Sequence, residues 1–140
     1  MAELIVVGVD GNERAERAAD TAARLAAATG AGLHVVCAYV RDQAAEISVA
    51  DGTHEVSISR ESADIAARVA GRLAKVVPGV TSSAVQGRPA DVLLAEADRL
   101  HASLIVVGNR RMQGIARVLG SVPAAVAHHA PCDVYIVNTG

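Results

Sequence analysis

Leu4-Ile5-Val6-Val7-Gly8-Val9 is an unbroken apolar run that stops on Asp10-Gly11-Asn12. The run is short, rich in β-branched residues and free of polar–apolar alternation. Such a strand is covered on both faces, as in a parallel sheet. Asp-Gly-Asn is strong turn chemistry, and helical spacing follows it. Ala15, Ala18, Ala19, Ala22, Leu25 and Ala26 mark one stripe, with Arg14, Glu16, Arg17, Asp20 and Arg24 largely on the other side. Gly30-Ala31-Gly32 ends this helix with residues free to take positive φ.

Working outward, four more runs of the first kind appear: Leu33 to Val40, Val80 to Val85, Ser103 to Val107 and Asp133 to Asn138. A second helix is predicted from about Arg60 to Val77, with Ile65, Val69 and Leu73 inward and Pro78-Gly79 closing it. A third begins after Gly87-Arg88-Pro89, where proline suits the first turn and Asp91 suits the dipole. Val92, Leu93, Ala97 and Leu100 line its face. The last helix is placed at roughly Arg117 to His129, with Val122, Ala125 and Val126 toward the sheet. Polar Arg41 to Ser59 reads as a solvated connection. The alternation predicts an α/β fold, Rossmann-like, with a five-stranded, mostly parallel, doubly wound sheet and about four helices, in one domain spanning 1–140.

Composition narrows the function. The 140 residues carry a net charge of −2, no Phe or Trp, and Tyr39 and Tyr135 as the only tyrosines. Neither the basic excess of a nucleic-acid or anionic-membrane surface nor the exposed aromatics of a base-stacking platform is present. Lys75 is the only lysine, so a Walker-type phosphate loop is excluded. Cys37 and Cys132 lie in apolar runs without CxxC spacing and read as small buried hydrophobes. No apolar stretch is long enough to span a membrane, and no signal peptide opens the chain, so a cytoplasmic protein is expected.

In open parallel sheets a ligand sits outside the carboxyl ends of the strands where the winding reverses. Two strand ends carry suggestive residues. Asp10 is either a hydrogen-bond acceptor for ribose hydroxyls or an adenine amino group, or a turn or N-cap residue before the helix. Gly108, Gly114 and Gly120 either let a phosphate approach the backbone, beside the helix entry at Ser121, or mark a flexible crossover.

Four segments, in order, resemble the universal stress protein family over nearly the whole chain. They are Ile5-Val6-Val7-Gly8-Val9-Asp10-Gly11-Asn12; Gly87-Arg88-Pro89-Ala90; Leu104-Ile105-Val106-Val107-Gly108-Asn109 leading to Leu119-Gly120-Ser121-Val122-Pro123; and Ala127-His128-His129-Ala130-Pro131-Cys132-Asp133-Val134. The resemblance implies a homodimer paired through the last strand and an adenine nucleotide ligand (ATP, AMP or cyclic AMP), with or without Mg. It implies that Asp10 contacts adenosine with Gly8 and Val9 beside it, that Ala38 meets adenine through its backbone, and that Val107 and Gly108 pack under sugar and base. Gly120, Ser121 and Val122 would hold phosphates. The apolar Val134-Tyr135-Ile136-Val137 independently favours a covered sheet edge.

One departure bears on the ligand. The family's nucleotide-binding members show Gly-x-x-Gly, nine residues, then Gly-Ser or Gly-Thr. Here Arg111 takes the second glycine's place, and eight residues separate it from Gly120. Gly114 offers a substitute turn, and Arg110, Arg111 or Arg117 bring guanidinium groups suited to phosphate oxygens. Loss of binding and a change in the phosphates held are both open, with monophosphate or cyclic nucleotide favoured over triphosphate. No catalytic nucleophile elbow, HExxH or Cys/His cluster is present, and adjacent His128 and His129 point about 100° apart on a helix, unable to serve one metal from one face. A binding module for stress or signalling is therefore expected, not an enzyme. The rivals are a nucleotide-free dimer acting through protein contacts and a weak ATPase.

Overall fold

A computed structural model describes residues 3–40, 53–109 and 122–139. In chain order the elements are β1 (Leu4–Val9), α1 (Glu13–Thr29), β2 (Gly32–Tyr39), α2 (Thr53–Leu73), β3 (Thr81–Gln86), α3 (Pro89–Arg99), β4 (Leu104–Gly108), α4 (Val122–His129) and β5 (Asp133–Val137). The five strands form one sheet in the order β3-β2-β1-β4-β5, and every neighbouring pair is parallel.

β1 is central because its sequence tolerates cover on both sides. Its odd-numbered residues Ile5, Val7 and Val9 join Leu33, Val35 and Cys37 under α1 and α2. Its even-numbered Val6 joins Val36, Ile105 and Val107 under α3 and α4. Val6 and Val7 are fully buried, and each such side chain contributes about 1.5–3 kcal/mol relative to exposure. On α1 the buried stripe is Ala18, Ala19, Ala22 and Ala26; without bulk beyond Cβ, that helix lies close on the sheet.

Local chemistry sets the ends of α1. Asn12 is the N-cap, its Oδ1 accepting from the Arg14 N–H at 2.9 Å. Gly30 is the C-cap at φ 79°, its N–H donating to Ala26 O. Pro89 opens α3, with Asp91 in its first turn.

The expectation for the second helix needs correction at both ends. Residues 53–59, assigned to the solvated connection, are helical in α2, while 41–52 lie outside the described residues. The signal was the partly buried Ile58 and buried Ser62, which extend the stripe of Ile65, Ala66, Val69 and Leu73 backwards by two turns. At the other end α2 stops at Leu73, and Val77 is buried from a turn closed by its N–H to Leu73 O at 2.9 Å. The edge strands β3 and β5 are also less covered than their apolar runs suggested: Thr81 and Ser82 are exposed, as are Tyr135 (44%) and Ile136 (45%). Arg117–Ser121, assigned to the last helix, fall outside the described residues, and α4 is seen from Val122.

The winding reverses at β1. The chain steps from β1 to β2 and β3 on one side, then returns to place β4 and β5 on the other. The crevice of such a sheet opens between the carboxyl ends of β1 and β4.

Candidate functional site: the cleft at the β1 and β4 ends

Beyond β1 the chain turns sharply. The Asn12 N–H donates to Asp10 Oδ1 at 2.8 Å, and Gly11 takes φ 86°, a left-handed value natural to glycine. Asp10 is thus the turn residue and Asn12 the cap. A Cβ on Gly11 would stand 3.3 Å from Ile65 Cδ1, so α2 packs directly on this turn.

Beyond β4, Asn109 is clasped by the C-terminal segment. Its N–H donates to Val137 O at 2.8 Å. Its Oδ1 accepts from the Thr139 N–H at 2.9 Å and the Thr139 hydroxyl at 3.2 Å. Thr139 is 2% exposed, and its carbonyl accepts from the Arg17 guanidinium at 3.0 Å. A Cβ on Gly108 would lie 3.0 Å from Thr139 Cγ2 and 3.7 Å from Ala18 Cβ. Gly108 therefore makes room for Thr139. A Cβ on Gly8 would lie 3.2 Å from Leu93 Cδ2, so Gly8 brings β1 and α3 together.

Between these strand ends lies a cleft of about 200 Å³. Its lining includes Gly8, Val9, Asp10, Ala38, Val107, Gly108 and Val122, all anticipated from the sequence. Arg110, Arg111, Gly114, Gly120 and Ser121, also anticipated, lie outside the described residues. The lining adds Arg14 and Ala15 from the first turn of α1, Val36 from β2, Pro89, Val92 and Leu93 from α3, and Pro123 from α4. Some of these were legible: Arg14 follows Asp10 by four residues at the start of α1, Val36 shares a strand face with Ala38, and Val92 and Leu93 were assigned to the sheet-facing side of their helix. The walls are Val, Leu, Ala and Pro, and among the described residues the charged members are Asp10 and Arg14. Such a site suits a compact apolar body bearing a polar or anionic group. No group of three or more His, Cys, Asp or Glu among the described residues is placed to hold a metal ion.

A second polar cluster, which the sequence did not announce, sits under α3 on the β2–β3 side. His34 Nδ1 lies 2.7 Å from Thr81 Oγ1, and its Nε2 lies 2.9 Å from Ser83 Oγ and 3.2 Å from Glu96 Oε2. Arg99 grips Glu96 with two bonds of 2.8 and 3.0 Å, and the Ser83 hydroxyl donates to it at 2.9 Å. Burial pushes the His34 imidazole below its usual 6.5, against the pull of Glu96. The Arg99 bonds hold the Glu96 carboxyl at about 2, against its own burial and with help from Ser83. The available signal was a histidine inside an apolar strand and a glutamate beside Val92, Leu93 and Ala97 on an inward helix face. Cys37 is buried and Cys132 half-buried, both as free thiols, and burial raises both thiol pKa values.

A model of the universal stress protein family matches residues 1–138. The chain belongs to that family. Among relatives, a universal stress protein of Mycobacterium tuberculosis strain H37Rv is 36% identical, covering 98% of this chain and 97% of its own length. One from Thermus aquaticus is 34% identical, over 99% of this chain and 100% of its own. A universal stress protein crystallised in complex with cAMP is 31% identical, covers 99% of this chain and 98% of its own, and superposes with a TM-score of 0.81. The family resemblance carried by the four sequence segments is borne out. This universal stress protein has the fold that the resemblance implied, with its cleft at the winding reversal.

Proposed function

We propose that this universal stress protein binds an adenine nucleotide in the cleft between β1 and β4, and that it works as a binding module whose ligand shifts a conformational or partner equilibrium. The observation carrying this reading is the cleft itself: apolar walls beside Gly8, Ala38 and Val107, with Asp10 and Arg14 as its charged groups, at the crevice of a doubly wound sheet. The cAMP complex of the 31% identical relative supports the ligand class. Apolar side chains above and below would sandwich the base, while Asp10 in the lining would meet the sugar.

Titration calorimetry with ATP, AMP and cyclic AMP tests the proposal. Ala38→Leu projects bulk into the cleft lining and is expected to weaken any nucleotide at least tenfold. Silence from all three nucleotides on the wild-type protein would remove the reading. The absorbance of freshly purified protein is a quick companion, because with two Tyr and no Trp any co-purified adenine dominates at 260 nm.

A second reading, a dimer acting by protein contact without nucleotide, rests on β5. It is an edge strand, and it exposes Tyr135 and Ile136. Such an edge invites pairing with another copy, and a homodimer through β5 accompanies either reading. The ATPase alternative requires magnesium-dependent phosphate release that is lost in Asp10→Ala.

A further inference from the structure

Arg14 is a charged side chain of α1 that the fold does not employ. Charged residues further along the helix are engaged: Glu16 with Arg68 and Arg72, Asp20 with Arg72, Arg17 with Thr139 O, and Arg24 with Thr21 Oγ1. The Arg14 guanidinium makes no ion pair among the described residues. It is nonetheless partly buried, and it lines the cleft. Its position is electrostatically poor for a structural role. Arg14 lies in the first turn of α1, immediately after Glu13, where the helix dipole repels a cation. A partly buried, unpaired cation against apolar walls is costly in the empty protein and interacts strongly with any anion that enters. Asp10, the opposite charge in the lining, has its Oδ1 committed to the Asn12 N–H and does not pair with Arg14.

We propose that Arg14 is a specificity-determining residue of this cleft, reading a single phosphate carried directly on the nucleoside. The inference rests on the nucleotide reading above and adds the group that is recognised. A guanidinium on the α1 wall, close to apolar surfaces that would hold the base, meets the first phosphate of a nucleotide, whether a monophosphate or a cyclic phosphate. The planar fork of arginine matches two phosphate oxygens, whereas a neutral nucleoside offers it nothing of equal strength. The site then discriminates AMP and cyclic AMP from adenosine through Arg14.

The test is calorimetric titration of AMP, cyclic AMP and adenosine into wild type, Arg14→Gln and Arg14→Lys at two salt concentrations, with thermal melting of each protein. Wild type is expected to prefer AMP over adenosine, with a preference that weakens as salt rises. In Arg14→Gln, AMP binding falls at least tenfold and adenosine binding less than twofold. Arg14→Lys, which keeps the charge and loses the fork, lies between. Melting temperature in Arg14→Gln is unchanged or raised, because no internal bond is lost and a cation leaves the helix N-terminus; a structural role for Arg14 would lower it. An unchanged AMP-to-adenosine ratio in Arg14→Gln overturns this inference and leaves the nucleotide reading standing. Wild type that binds none of the three overturns this inference, and silence toward ATP as well overturns the nucleotide reading with it. Should Arg14→Gln not fold, a wild-type preference insensitive to salt and matched by Arg14→Lys overturns it.

Discussion

Glu96→Gln removes a charge from the cluster under α3 while keeping its shape. In the folded protein the Glu96 carboxyl titrates at about 2, against an ordinary 4.5. At about 1.36 kcal/mol per pH unit, this difference corresponds to about 3 kcal/mol of preference for the ionised form. The Glu96 side chain is 7% exposed, whereas that of its main partner Arg99 is 59% exposed. Solvent screening on the Arg99 side reduces the measurable share to on the order of 2 kcal/mol. The sign follows from proton counting. The folded carboxyl binds its proton later than the unfolded one, so its contribution is complete above pH 4.5 and is lost as pH falls from 4.5 towards 2. Urea unfolding followed by circular dichroism from pH 7 to pH 3 provides the assay. At pH 7 wild type should exceed Glu96→Gln by on the order of 2 kcal/mol, and by pH 3 more than half of that gap should have closed. The remaining carboxylates cancel in the difference between the two proteins, and making both in a His34→Gln background removes the imidazole that also faces Glu96. A gap that is absent at pH 7, or that stays constant down to pH 3, would refute the assignment of Arg99 and Ser83 as the groups holding Glu96 ionised.

His34 gives a second pH window. Burial holds its folded pKa below 6.5, so unfolded chains take up the proton first and stability declines as pH drops below 6.5; His34→Gln should flatten the wild-type curve there. Gly108→Ala should cost about 1–3 kcal/mol, because the new methyl stands 3.0 Å from Thr139 Cγ2. Adding Thr139→Ser removes that opposing methyl and should recover much of the loss, so strictly additive unfolding energies in the double-mutant cycle would contradict the packing account. Ile136→Lys, on an exposed edge position, should leave the melting temperature of dilute protein within a few degrees while shifting sedimentation equilibrium to monomer. Persistence of the wild-type association state would place any self-contact elsewhere than β5.

The fold was legible because β1 and its Asp10-Gly11-Asn12 turn dictate their own conformation locally, and the β-branched runs at Leu33, Ser103 and Asp133 repeat the same logic. Gly30 and Pro89 marked helix ends through backbone chemistry that needs no tertiary partner. Half of the cleft was legible too, since strand ends at a winding reversal are placed by topology. What escaped was set by packing between distant segments. The early part of α2 carries the partly buried Ile58 and the buried Ser62 within a polar sequence, and only tertiary burial reveals that. Gly108 could be read as a place of close approach or as part of a flexible crossover, and that its missing side chain admits Thr139, thirty-one positions later, is a contact no spacing announces. The partnership of His34 with Glu96 depends on β2 lying beside α3, which spacing alone does not show.

The cleft also lies on the sheet's most weakly stitched seam. β1 meets β2 over six register pairs after one short crossover, but it meets β4 over three, with Ile5 opposite Leu104 across most of the chain. Closing so long a loop for so few pairs is entropically the dearest step in assembling the sheet. A molecule seated there would clip the two halves of the sheet to each other, so binding would add to the stability of that seam. Amide exchange in β4 and β5 should slow on addition of the proposed nucleotide more than exchange in β2 and β3, because opening that seam removes the cleft.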